Sequence, residues 1–413
     1  MSASALTTNT LWKLMSHILA RGSLILASIV LARKLDPVAF AEFSYFQLTA
    51  VTISAYAALG LGVTASKFFA EVSFDDDRDS YPAITLMWAI SISVSVIFFV
   101  GVMIAPVSWF PGNLTIPRWL LALAVLAFAL EIVPTGALMG LECYRPVAGL
   151  SVIAAGIMLI GAWGAASEGS SKLAMITITF ASALQVVGKS WIIIRLMRWK
   201  RLARWHSVNW RRLNEICNFA GPMLFVSLLS GSGTWVLGKI ILDGPGGPLA
   251  FAHYAIGLQW FSLGLFLPTI LSQVILPRLV RASREGASTR QLTHHSAWAA
   301  AIMALAVSAG AFLFCALIPD IYGGNYENER WFIAAYLAAA IILAPANTIG
   351  NAIVANNGQR AWLFLTCIWM LVLLGSAATT VSLMAWAGAI SQAAAAAALV
   401  TGAIIVARGR GLI

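Results

Sequence analysis

The chain has 413 residues, of which 60% are hydrophobic and 10% charged, with a formal net charge of +10 at pH 7. That composition excludes a soluble enzyme and places the chain among polytopic membrane proteins. The positive balance follows from the way cations are shared among the loops and calls for no nucleic acid.

Twelve apolar segments are long enough to cross a hydrocarbon layer about 30 Å thick. In chain order they run 11–32, 39–62, 82–106, 118–141, 146–166, 173–196, 215–242, 251–276, 295–318, 331–354, 361–380 and 387–407. The expected fold class is therefore an all-α polytopic membrane protein with about twelve transmembrane helices. The first segment is too long for a cleavable signal core and lacks a small-residue cleavage site, so it reads as a span.

That first segment carries charge where charge is expensive. Lys13, His17 and Arg21 recur every four residues and share one helix face, with Ser28 on the same stripe. An arginine at bilayer depth costs at least about 2.5 kcal/mol and normally faces a bundle interior or a watery cavity. Arg21 is thus a candidate for binding an anion, with a structural pairing to Glu131 as the alternative.

A short string following the first segment returns half a chain later. Residues 37–43 read PVAFAEF and residues 248–254 read PLAFAHY, an offset of 211 that also carries Val63 to Val274 and Lys67 to Arg278. This implies two homologous six-helix lobes, residues 1–198 and 215–413, joined by a basic linker at 199–214. With the N-terminus in the cytoplasm, eighteen of the 26 lysines and arginines fall in the even-numbered loops and at the two ends. The positive-inside rule therefore places both termini in the cytoplasm.

Between the lobes, residues 195–212 read RLMRWKRLARWHSVNWRR, with Trp199, Trp205 and Trp210 among seven cations. Basic residues alternating with aromatics stack on bases in nucleic-acid binders. In a chain already in the membrane, an interfacial helix on anionic lipid is the favoured reading.

Other polar groups fall inside the segments. Glu131 lies mid-segment, three residues before Pro134, whose ring kinks a helix. It reads as an ion-coupling or gating residue, or as the structural partner of Arg21 or Lys189. Lys239 is a candidate cavity cation that also suits a side chain reaching out to the interface, and Lys189 reads as a snorkelling residue. Asn347 and Asn351 sit one turn apart beside Pro345, and Gln259 and Gln273 lie on the eighth segment; such amides mostly bond across to neighbouring helices, with sugar contact by Asn347 as the alternative. Asp75, Asp76 and Asp79 in FDDDRD have the spacing of a magnesium–pyrophosphate site, but no second acidic cluster completes one, so the loop reads as solvated. Cys143, Cys217, Cys315 and Cys367 are scattered singly and read as small core residues, not metal ligands or disulfides.

The plan resembles the multidrug/oligosaccharidyl-lipid/polysaccharide exporter superfamily, and within it the polysaccharide-transporter branch that includes O-antigen flippases. The resemblance is carried by LARKLDPVAFAEFSYFQL after the first segment, its echo entering the eighth, IYGGNY at residues 321–326 and NNGQR at residues 356–360. Two places depart from the pattern. Ala41 and Ala252 stand where glycine is usual, and Gly233, Thr234 and Trp235 stand where many members carry an acidic residue.

The resemblance implies a V-shaped pair of lobes in the bacterial inner membrane, working by alternating access on a polyprenyl-pyrophosphate-linked oligosaccharide. Arg21, with its rigid fork of donors, would hold the pyrophosphate, His17 and Lys13 would extend the basic stripe, and Lys239 and Asn347 would join them. It implies no catalytic residue, cofactor or metal. Its partners would be the lipid-linked oligosaccharide, membrane lipids and other polysaccharide-assembly proteins. The alternatives are a membrane-embedded polymerase or ligase acting on the same carrier, and a multidrug exporter of the same fold.

Overall fold

The computed structural model describes residues 22–57, 81–106, 114–141, 143–198, 210–284, 288–314 and 330–413, with Met15, Leu19, Leu61, Gly62, Ala65, Ser66, Phe69 and Tyr322 besides. The chain divides into two compact units, Met1–Leu224 and Phe225–Ile413.

In the first unit, α1 covers residues 22–34 and is followed by α2 (Pro37–Ala57), α3 (Tyr81–Ile104), α4 (Arg118–Gly140), α5 (Tyr144–Glu168) and α6 (Ser171–Arg198). The helix α7 (Trp210–Asp243) contains the division between the units. The second unit continues with α8 (Gly247–Gly264), α9 (Phe266–Arg284), α10 (Arg290–Phe314), α11 (Arg330–Ala355), α12 (Gln359–Thr380), a short 3-10 turn (Val381–Leu383) and α13 (Ala385–Gly409). Wherever their residues are described, the predicted apolar segments coincide with helix, and no strand occurs among the described residues. Nine described helices are long and apolar enough to cross a membrane, or ten with α8 and the start of α9 taken as one bent span. The chain is an all-α polytopic membrane protein.

The helix starts follow from local chemistry. Asp36 caps α2 with its carboxylate, which accepts the backbone N–H of Val38 at 2.9 Å and of Ala39 at 3.0 Å. Pro37 then opens the helix, where its missing N–H costs nothing. In the repeat copy, Gly246 takes the cap position and Pro248 lies in the first turn of α8. The two copies bury the same positions: Phe40, Ala41 and Phe43 in α2, and Phe251, Ala252 and Tyr254 in α8. The repeated string is therefore a helix start with one buried face.

Two boundaries differ from the sequence reading. The helix α7 begins at Trp210, inside the stretch assigned to the linker, while residues 199–209 lie outside the described residues. The eighth segment, read as one span, is two helices bent by 45° at Leu265. The ring of Pro268 crowds the carbonyl four residues before it, that of Gly264, so the ladder stops there.

Each unit has a central helix. In the first, α4 packs against α2, α3 and α6; in the second, α11 packs against α8, α9, α10, α12 and α13. These two are the most buried of the candidate spans, and each has a proline in its interior, Pro134 and Pro345. The prolines are 211 residues apart, the same offset as the repeated string. Lipid is as apolar as a leucine side chain, so such helices are held by close packing and internal hydrogen bonds. Glycine supplies the approach: a Cβ on Gly136 of α4 would collide with the backbone carbonyl of Gly62, and one on Gly257 of α8 would collide with the ring of Tyr336 on α11.

Candidate functional site

The polar centre of the first unit lies at the kink of α4. Glu131 faces α6, and its Oε1 accepts from Lys189 Nζ at 2.5 Å. The same ammonium donates to Thr135 Oγ1 at 3.0 Å, one turn further along α4. Thr135 in turn donates to the carbonyl of Glu131 at 2.8 Å, stitching the turn that contains Pro134. Lys189 is only 4% exposed, and among the described residues it is the one charged group in the fully buried class. The reading of Lys189 as a snorkelling side chain is thereby corrected, and the alternative that pairs it with Glu131 is the one observed: a carboxylate on the facing helix holds it in the interior. Removing one partner of a buried pair typically costs about 3–5 kcal/mol, because the other is left as a bare charge. The structure thus pairs Glu131 with Lys189.

In the second unit the polar contacts of the central helix are neutral and reach a different neighbour, α9. Ser272 on α9 and Thr348 on α11 share a hydroxyl–hydroxyl bond of 3.3 Å, and Asn351 Nδ2 donates to the carbonyl of Ser272 at 3.2 Å. Just past the end of α11, Asn356 accepts from Ser283 at 3.1 Å and donates to Thr289 at 3.3 Å. Asn351 therefore bonds across to a neighbouring helix. Asn347, the candidate sugar contact, is half-buried on α11 two residues after Pro345.

Lys239 is engaged near the end of α7, where its ammonium holds Asp243 at 2.7 Å one turn away. Earlier on α7, at the place where an acidic residue is usual in the resembled family, the carbonyl of Thr234 accepts the hydroxyl of Tyr254 at 2.9 Å, and Gly233 lies against Trp369.

One residue the sequence reading missed is Glu42. Its Oε1 accepts the backbone N–H of Thr115 at 2.8 Å, just before α4, and its Oε2 accepts the hydroxyl of Ser171, the first residue of α6, at 2.5 Å. It clasps the starts of the two helices that the Glu131–Lys189 pair joins at depth. The signal available was the repeat itself, in which Glu42 aligns with His253. That histidine sits edge-on to Phe332, near the start of α11, with centroids 6.4 Å apart, and Phe332 in turn stacks edge-on against Trp386 at 5.7 Å.

Lys13, His17 and Arg21 lie outside the described residues, as do Asp75, Asp76 and Asp79. Among the described residues no group of three or more His, Cys, Asp or Glu side chains is placed to hold a metal ion.

No family model matches the chain. It is 25% identical over 183 residues to proteins of Brucella suis and Brucella melitensis, each named a probable multidrug resistance protein NorM; the match takes in 44% of this chain and 38% of each relative. Among solved structures, an inward-facing multidrug resistance MATE family transporter of the MOP superfamily is 18% identical, with a TM-score of 0.77 and 94% of both chains covered. An outward-facing transporter of that family is 16% identical, with a TM-score of 0.72 over 98% of this chain and 95% of the other. A MOP superfamily transporter from Pyrococcus furiosus, whose binding pocket of reversed polarity suggests a different function, is 16% identical with a TM-score of 0.63 over 96% of this chain and 94% of that one. The chain has the fold of the MATE transporters of the MOP superfamily.

Proposed function

We propose that the chain is a membrane transporter that works by alternating access and exports small amphipathic organic molecules of the multidrug type. The observation that carries this reading is the likeness of the whole chain to a multidrug transporter in both inward-facing and outward-facing conformations, over at least 94% of each chain. The stretch shared with the two Brucella proteins named for multidrug resistance supports it.

The paired cations support it as well. A pyrophosphate cargo calls for cations free to meet it. Lys189 and Lys239, the two lysines read from the sequence as lying within spans, each already hold a carboxylate. The lipid-linked oligosaccharide reading then depends on Arg21, His17 and Lys13.

The test is expression in bacteria stripped of their own exporters. On this reading, resistance to lipophilic cations such as ethidium rises several-fold and dye accumulation falls. No change in either, combined with transfer of a polyprenyl-pyrophosphate oligosaccharide across vesicles, would replace the exporter with the flippase. Variants at Arg21 separate the two cargoes. For an anionic cargo, Arg21→Lys loses transport partly and Arg21→Ala much further; for a cationic dye, Arg21→Ala keeps efflux.

A further inference from the structure

A carboxylate in the middle of a span needs a cation beside it, and in the first unit the chain supplies that cation itself. The Nζ of Lys189 stands 2.5 Å from Glu131 Oε1 and 3.0 Å from Thr135 Oγ1, in a position only 4% exposed. Two oxygens at those positions, a carboxylate and a hydroxyl, are hard donors of the kind that oxygen-preferring cations take. The lysine is held close by tight packing next to it: a Cβ on Gly188 would lie 2.7 Å from Leu150, so α5 and α6 touch at this level.

We propose that Lys189 is a tethered cation. Its ammonium fills on Glu131 the place that a monovalent cation from solution would take, so the carboxylate binds no sodium or lithium while the lysine is present. Removing the lysine side chain opens a cation site built from the Glu131 carboxylate and the Thr135 hydroxyl. The space vacated suits sodium, lithium or a small alkylammonium ion that restores the lost group. The inference goes beyond the exporter reading and holds for either cargo, because it concerns the interior of one unit and not the transported molecule.

The experiment compares the thermal melting of purified full-length protein in N-methylglucamine, sodium, lithium and ethylammonium chloride at equal ionic strength. Wild type gains nothing from sodium, lithium or ethylammonium at this site, so any shift it shows among the four salts is shared, within roughly 1 °C, by Glu131→Gln. Lys189→Ala melts about 5–10 °C lower in N-methylglucamine and regains at least half of that, saturably, in one or more of the other salts. Lys189→Met fills the space and regains nothing. Glu131→Gln combined with Lys189→Met removes the need for a cation, melts near wild type and ignores the salt. Two results overturn the proposal: sodium raising the melting temperature of wild type but not of Glu131→Gln, or Lys189→Ala remaining equally unstable in every salt. If Lys189→Ala gives no folded protein, the double variant decides: recovery at near wild-type yield supports the tethered cation, and failure refutes it.

Discussion

In the first unit the proline-kinked helix α4 is joined to α6 by an ion pair, Glu131 to Lys189; in the second, α11, kinked at a proline 211 residues later, is joined to α9 by the hydroxyls of Ser272 and Thr348 and the amide of Asn351. The kinked central helix recurs in both units, but its polar contacts differ in chemistry and in the neighbouring helix they reach. The difference predicts how each unit fails. This ion pair is brittle on one side, because losing the half-buried Glu131 leaves the buried Lys189 ammonium without a partner. Neutral interhelical bonds in membrane proteins average about 0.6 kcal/mol, so their loss is graded.

The largest expected effect comes from breaking the ion pair on one side only. Glu131→Gln leaves the Lys189 ammonium buried without its carboxylate and costs about 3–5 kcal/mol, read as a sharp fall in monodisperse protein after detergent extraction. Full yield from this variant would remove the distinction between the units.

The next effect concerns the close approach on each central helix. Gly136→Ala drives a Cβ into the carbonyl of Gly62, a backbone atom that cannot turn aside, and costs about 1–3 kcal/mol. Gly350→Ala on α11 meets the ring of Trp362 at 2.5 Å, a side chain with torsions to give, and costs less. Melting the two variants side by side checks the order, and a larger loss at Gly350 reverses it.

Smaller again is Thr348→Val, which removes the hydroxyl bond to Ser272 and lowers stability by about 0.5–2 kcal/mol without loss of folded yield. A collapse like that of Glu131→Gln would show the neutral stitch to be as brittle as the charged one.

The smallest effect is a reporter of the first unit's packing. Cys143, between α4 and α5, lies against the core formed by Val133, Ala137 and Leu138, and burial pushes its thiol up from the ordinary range. Less thiolate is present at neutral pH, so maleimide labels it more slowly than a free thiol, and the rate climbs only at higher pH. Loosening the unit through Lys189→Ala speeds labelling; an unchanged rate would disconnect the ion pair from this core.

Helices and repeat were legible in the sequence for physical reasons. A span of lipid demands some twenty apolar residues in a row, and such runs are helix wherever they are described. The PVAFAEF and PLAFAHY strings marked equivalent helix starts because a cap, a proline and one buried face are local features. The bend at Leu265 was hidden by an unbroken apolar run, although Gly264 and Pro268 flank it. The pairing of Glu131 with Lys189 stood in the sequence as one of two structural alternatives, the other being Arg21; the choice was not legible, since the partners lie 58 residues apart and their meeting depends on how α4 and α6 are rotated. Glu42 was overlooked for the same reason: its partners, Thr115 and Ser171, are 73 and 129 residues distant. The offset of 211 also joins Pro134 to Pro345, a match open to inspection in the sequence that marks the central helix of each half.

Export of small amphipathic molecules is the proposed role. Purified protein reconstituted into liposomes, one set loaded with a lipophilic cationic dye and another carrying a fluorescent polyprenyl-pyrophosphate oligosaccharide, tests it most directly. An exporter of this kind gives saturable movement of the dye, with the lipid-linked sugar crossing no faster than in empty liposomes. Rapid transfer of the lipid-linked sugar with no movement of dye would contradict it.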